Sequence, residues 1–159
     1  MKVALFPGSF DPFHNGHLEV VERAGKLFDQ VVVAALRNPQ KAEPLFSLAE
    51  REEMLKEALA HLENVRIVSV ATLVVNVAQE VGASVIVKGL RAVSDFENEL
   101  QMAQMNRQLA GVETVFIPTS SDSSFIASRL LREVARLGGD VSAFVPKAVL
   151  ERLDQRFPR

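Results

Sequence analysis

Five short runs of mostly β-branched apolar residues constrain this chain more than any other feature: Val3 to Phe6, Val31 to Leu36, Val65 to Val70, Val85 to Val87 and Val112 to Ile117. Each is nearly continuous in its hydrophobicity rather than alternating, which is how strands buried on both faces read. Helical patterns lie between them, at His17 to Phe28, Leu48 to His61, Leu73 to Val81 and Asp95 to Leu109. Ser47-Leu48-Ala49-Glu50 opens the second of these as a capping box. A further helix is expected over Phe125 to Leu137, stopped by Gly138-Gly139, and a last one from about Pro146 to about Arg156. Strands alternating with helices from end to end predict an α/β fold built on a doubly wound, five-stranded parallel sheet. In such sheets the ligand sits beyond the carboxyl ends of the strands where their order reverses, so the loops after the first and fourth strands should face one another.

Both loops carry residues suited to an anion. The first, Phe6-Pro7-Gly8-Ser9-Phe10-Asp11-Pro12-Phe13-His14-Asn15-Gly16-His17, joins a strand to a helix. Gly8 and Gly16 are expected to let the backbone approach a ligand, and the following helix offers unpaired N–H groups and a partial positive charge. His14 and His17 add imidazoles that can be neutral or cationic near pH 7. A helix cap is the plainer role for a histidine at this place. The second loop, Lys88-Gly89-Leu90-Arg91-Ala92-Val93-Ser94-Asp95, sets two cations around a glycine.

Composition narrows the partners. A chain of 159 residues, 48% hydrophobic and without an internal repeat or linker, is expected to form a single domain over residues 1–159. Eighteen basic against twenty acidic residues leave a net charge of −2, so no basic field gathers nucleic acid. The absence of cysteine excludes disulfides, thiolate nucleophiles and thiolate-held metal. The apolar run after Lys2 ends at Pro7-Gly8, too short for a secretory segment or a membrane span. A soluble cytoplasmic protein that binds a small anion is expected.

Gly8-Ser9-Phe10-Asp11-Pro12 with Asn15-Gly16-His17, then Lys88-Gly89-Leu90-Arg91, then Asp95 through Arg107 beginning Asp-Phe-Glu-Asn-Glu, resemble the phosphopantetheine adenylyltransferase family. The first motif is shared with the wider nucleotidyltransferase superfamily; the Gly-Leu-Arg loop followed by the Asp-Phe-Glu helix is more specific. The likeness covers nearly the whole chain and implies a Rossmann-like nucleotidyltransferase fold. It implies transfer of the adenylyl group of ATP to the 4′-phosphate of phosphopantetheine, giving dephospho-coenzyme A and pyrophosphate. It also implies a homo-oligomer, a hexamer in the family, and coenzyme A as a feedback ligand.

The resemblance assigns roles residue by residue. His17 stabilises the transition state. Ser9, Phe10, His14 and His17 itself, then Gly89, Leu90, Arg91 and Glu99, then Ser123, Ser124, Phe125, Ile126, Ala127, Ser128 and Arg129 fall on the ATP side. Ser9, Lys41, Val74, Lys88, Met102 and Asn106 fall on the acceptor side. Plainer roles stand beside these: a turn serine for Ser9, solvated charge for Lys41, a surface ion pair for Glu99, packing for Val74, and core for Met102, Met105 and Asn106. For Ser123 to Arg129 the plainer role is an N-cap cluster opening a helix. The chain departs from the family at Lys88, where arginine is frequent, at Ala127 and Ser123, and at His14, which restores a full His-x-Gly-His. No carboxylate or histidine cage is apparent, so Mg²⁺ is expected to arrive with ATP. Two other functions fit the first motif: adenylyl transfer to a pyridine mononucleotide, and a non-catalytic module that senses coenzyme A or ATP.

Overall fold

The computed structural model describes the backbone of residues 1–159 and every side chain except those of Val93, Ser94 and Asp95. Asp95, which heads the helix signature read from the sequence, thus has its side chain outside the described residues. Strands β1 (Val3–Gly8), β2 (Gln30–Leu36), β3 (Val65–Val70), β4 (Val85–Leu90) and β5 (Glu113–Pro118) form one parallel sheet in the order β3-β2-β1-β4-β5. Helices α1 (Asn15–Leu27), α2 (Leu48–Ala58), α3 (Val74–Val81) and α4 (Val93–Ala110) each connect one strand to the next, and α5 (Ser128–Arg136) and α6 (Lys147–Arg156) follow the last. The doubly wound parallel α/β sheet expected from the apolar runs, Rossmann-like as the resemblance implied, is therefore present.

Successive strand side chains point to opposite faces, and the core divides accordingly. Ala4, Phe6, Val31, Val33 and Val87 pack with side chains of α1, α2, α5 and α6, such as Val20, Met54, Leu131 and Val149. Val3, Leu5, Val32, Ala34 and Ile86 pack on the other face with Val77 and Ala78 of α3. Each large aliphatic side chain fully withdrawn from water is worth roughly 1.5–3 kcal/mol. Residues of β1 and β2 buried on both faces thus hold these strands at the centre of the sheet.

The pairing of β1 is asymmetric, and this creates the site. It pairs with β2 along its length, from Val3 with Gln30 to Gly8 with Ala35. With β4 it pairs only at Ala4 with Val85 and Leu5 with Ile86, while β4 stays paired to β5 as far as Leu90 with Pro118. The carboxyl halves of β1 and β4 therefore part, at the point where the strand order reverses.

Most helix boundaries follow local chemistry. The Ser47–Glu50 capping box forms as expected, Glu50 N–H to Ser47 Oγ at 3.1 Å and Ser47 N–H to Glu50 Oε1 at 3.3 Å. Gly82 and Gly111 end α3 and α4 in the left-handed region, at φ of 71° and 68°. Three starts differ from expectation by two residues or more, that of α4 lying at Val93 rather than Asp95. Helix α1 begins at Asn15 rather than His17, because His14 is its cap. Helix α5 begins at Ser128 rather than Phe125, because Ser123 and Ser124 turn back to the Ser120 carbonyl and Ile126 to that of Ser123. Its cap residue Ala127 provides no side-chain hydrogen bond, so the serines do not form the expected N-cap cluster.

Candidate active site

The gap between β1 and β4 opens into a cleft of about 750 Å³. Its walls come from the β1 loop, the end of β4, the loop after β2 and the start of α5, which bring Ser9, His17, Lys41, Lys88, Arg91 and Arg129 to one space. Loops distant in sequence are joined directly: Arg91 Nη1 donates to the Ile126 carbonyl at 2.9 Å, and Ser128 Oγ to the Pro12 carbonyl at 2.8 Å. The loops after the first and fourth strands do face one another.

The two histidines form a reciprocal cap at the head of α1. His14 Nδ1 accepts from the N–H groups of Gly16 at 3.0 Å and His17 at 3.4 Å, and His17 Nδ1 accepts from the N–H of His14 at 3.1 Å. The rings stack with centroids 3.6 Å apart. Phe13 stacks with His17 at 5.5 Å and Phe10 meets it edge-on at 5.0 Å. An Nδ1 that accepts a backbone hydrogen bond cannot carry the proton, so each neutral ring holds it on Nε2. His17 is thus cap and cleft residue at once: one nitrogen closes the helix start, and Nε2–H is the donor left to the cleft.

Electrostatics keep both rings neutral. Burial, then the Arg91 charge, lowers the His14 pKa to about 3. Burial also holds His17 well below its ordinary value, with His14, Arg91 and Lys88 pushing the same way. A histidine whose folded pKa is depressed is protonated first in the unfolded chain, so stability is full above about pH 6.5 and falls as pH drops toward 3. From His14 alone, unfolding free energy at pH 5 should be lower than at pH 7 by roughly 2 kcal/mol. Urea denaturation at the two pH values measures this, and His14→Thr should flatten the slope.

Gly8 and Gly16 line the cleft and also make room for aromatic rings. A Cβ on Gly16 would lie 2.8 Å from His14 Cε1, and one on Gly8 would lie 2.8 Å from Phe10 Cζ. Phe10 itself adopts a left-handed φ of 49°, unusual for a bulky residue. Its buried ring packs against Phe6, Phe13 and His17, which offsets that strain and makes the ring a wall for the imidazole. At Gly89 a Cβ would meet Val20 Cγ2 at 2.9 Å, so this glycine lets β4 lie close over α1.

Ser9 and Lys41, assigned to one phosphate by resemblance, stand together, Nζ to Oγ at 3.3 Å. Glu99 pairs with Lys88, Oε2 to Nζ at 3.4 Å, both partly exposed on the cleft wall. That pairing fits the ion-pair role, and it tempers the Lys88 charge. Asp11 is not placed as an acid or a metal ligand. Its buried carboxylate accepts from the N–H of Leu45 at 2.8 Å and of Phe46 at 2.9 Å, and Arg132 Nη1 donates to its carbonyl at 2.6 Å.

Other assigned residues lie away from the cleft lining. Val74 packs with the second core layer, Asn106 is buried on α4, and Met102 and Met105 are exposed, which corrects their reading as core. Leu90 offers its carbonyl to Thr119, at 3.0 Å from the backbone nitrogen. Ser123 and Ser124 belong to the turns before α5, Phe125 packs edge-on against Phe144, and Ile126 contributes its carbonyl to Arg91. Ala127, Ser128 and Arg129 reach the cleft. Sequence reasoning missed Arg51, which lines the cleft although it lies on the buried face of α2 with Met54 and Leu55. An arginine at i beside apolar residues at i+3 and i+4 was the signal that could have revealed it.

Among the described residues no three histidine, aspartate or glutamate side chains cluster as a metal site requires, and no helix is long and apolar enough to cross a membrane. The profile of the cytidylyltransferase-like family matches residues 5–134. A phosphopantetheine adenylyltransferase of Heliobacterium modesticaldum is 50% identical over 158 residues, 99% of this chain and 94% of that protein. One from Gloeobacter violaceus is 51% identical over 156 residues, 98% of this chain and 96% of that protein. One from Alkaliphilus metalliredigens is 47% identical over 157 residues, 98% of this chain and 99% of that protein.

Proposed function

Because this chain belongs to the phosphopantetheine adenylyltransferase family of nucleotidyltransferases, we propose that it transfers the adenylyl group of ATP to the 4′-phosphate of phosphopantetheine. An oxygen of the 4′-phosphate forms a bond to the α-phosphorus, and the bond from that phosphorus to its β-bridging oxygen breaks. Pyrophosphate leaves with the electron pair and dephospho-coenzyme A remains. No covalent intermediate on the protein is needed, since alignment and neutralisation of charge on the phosphoryl oxygens supply the catalysis.

The observation that carries this reading is the convergence of His17, Ser9 and Lys41 with Lys88 and Arg91 on one cleft at the parted ends of β1 and β4. The acceptor phosphate takes the Ser9–Lys41 pair with Lys88, and the ATP phosphates lie toward Arg91 and Arg129. His17 donates Nε2–H to a non-bridging α-oxygen as its charge grows. A neutral imidazole suits this: it stabilises the oxyanion by donation and surrenders no proton. Mg²⁺ enters as the companion of ATP, and no step here depends on a protein-held metal. Coenzyme A, which shares the acceptor arm, is the feedback ligand in this reading. Self-association into a hexamer accords with the exposed Met102, Met105 and Leu109 of α4, and action in the cytoplasm with the lack of cysteine.

Pyrophosphate release tests the proposal. It should depend on phosphopantetheine and yield dephospho-coenzyme A. Release with a pyridine mononucleotide instead would assign that acceptor, and ATP binding without either product would make the protein a sensor.

A further inference from the structure

Arg51 is the least exposed charged residue among those described, at 2%, and the mechanism above does not use it. It projects from the first turn of α2 beneath the β1 loop. There a single nitrogen, Nη1, donates to the Ser9 carbonyl at 2.6 Å and to the Leu36 carbonyl at 3.0 Å. Its Nε is buried without a partner. The carboxylate whose field reaches it, Asp11, is already engaged by the N–H groups of Leu45 and Phe46. Burial lowers the guanidinium pKa and the nearby Arg37 charge adds to that, with Asp11 opposing.

A buried cation so incompletely satisfied is expensive, and an apolar residue would pack at this place on α2 more cheaply. Its location explains its presence. Ser9 lies on the loop after β1, and Leu36 ends β2, where the loop bearing Lys41 begins. We infer that Arg51 is a positioning residue for the acceptor phosphate: by holding the Ser9 and Leu36 carbonyls on one guanidinium, it sets the spacing of the Ser9–Lys41 pair that receives that phosphate. The same hydrogen bond steadies the peptide entering Phe10, whose left-handed backbone turns the loop toward His17. The inference rests on the adenylyl-transfer reading, in which ATP is held mainly from the β4 and α5 side. Loss of Arg51 therefore separates the two substrates.

The test compares Arg51→Met and Arg51→Lys with the unaltered protein, by steady-state kinetics in each substrate and by thermal melting. Arg51→Met should raise the KM for phosphopantetheine about tenfold or more, as expected for lost hydrogen bonds from a charged donor, with the KM for ATP within about twofold. Arg51→Lys, which keeps the charge but reaches the two carbonyls less well, should lie between. Adding Lys41→Ala to Arg51→Met should cost less than the separate effects combined, because both act on one pair. Three results would overturn the inference: an unchanged acceptor KM, a parallel rise in both KM values with a collapsed melt, or full additivity with Lys41→Ala. If Arg51→Met does not fold, Arg51→Lys decides the matter by the same criteria. Failure of the reaction itself would appear in the unaltered protein, as no dephospho-coenzyme A; failure of this inference appears only in the variants.

Discussion

Replacing His17 by alanine should leave ligand binding nearly intact and lower turnover about a hundredfold, close to 3 kcal/mol for the loss of one preorganised oxyanion donor. The double use of the ring permits a sharper experiment than alanine alone. Nδ1 closes the helix by accepting from the His14 N–H, and Nε2–H is left to the cleft. Asparagine places its carbonyl oxygen near the Nδ1 position and has nothing at Nε2. His17→Asn should therefore melt close to the unaltered protein and turn over as poorly as the alanine variant. Glutamine reaches the Nε2 position with an amide donor and abandons the cap, so His17→Gln should be the less stable variant and the more active one. A single ranking for stability and turnover would show that His17 acts only by holding the turn. Since burial and the neighbouring charges hold the His17 pKa well below its ordinary value, the turnover profile between pH 6 and 8 should carry no inflection that disappears with His17.

Asp11→Ala should be the most destabilising single substitution in the first loop. It removes two charge-assisted hydrogen bonds at once, at 2.8 and 2.9 Å, and leaves the N–H of buried Phe46 and that of Leu45 without their acceptors. From the cost of stranding such donors, the loss is about 3 kcal/mol, or roughly 10 °C in melting temperature for a domain of this size. The damage should not stay local. Residues 45 and 46 follow the loop that carries Lys41, and Arg156 of α6 grips the same segment by donating to the Leu45 carbonyl and lying over the Phe46 ring at 5.1 Å. The acceptor KM should rise as well. Asp11→Asn keeps one oxygen for one of the two donors and should fall about midway. Thermal melts with acceptor titrations check both effects; a variant as stable as the parent would show that the carboxylate is no latch.

Much of the fold could be read from periodicity alone. Continuous β-branched runs have little alternative to burial on both faces, and their alternation with helices leaves few topologies. The switch-point rule then correctly brought the Lys88 to Arg91 loop opposite the Ser9 to His17 loop. Where sequence reading erred, a side chain had more than one physically sensible partner. Methionines at helical spacing suggested core, but α4 turns Met102 and Met105 outward. The serines before α5 resembled caps, although the Ser120 carbonyl captures their backbone first.

What the linear chain determined by itself is the order of elements, the family and the chemical character of the two loops that line the cleft, because apolar periodicity and short motifs are local properties. Tertiary structure alone decided which nitrogen of His17 is free to donate, that Asp11 ties down backbone, and that Arg51 spans Ser9 and Leu36. Those outcomes depend on hydrogen bonds between residues three to forty-two positions apart, and such partners are chosen by how the sheet and helices pack.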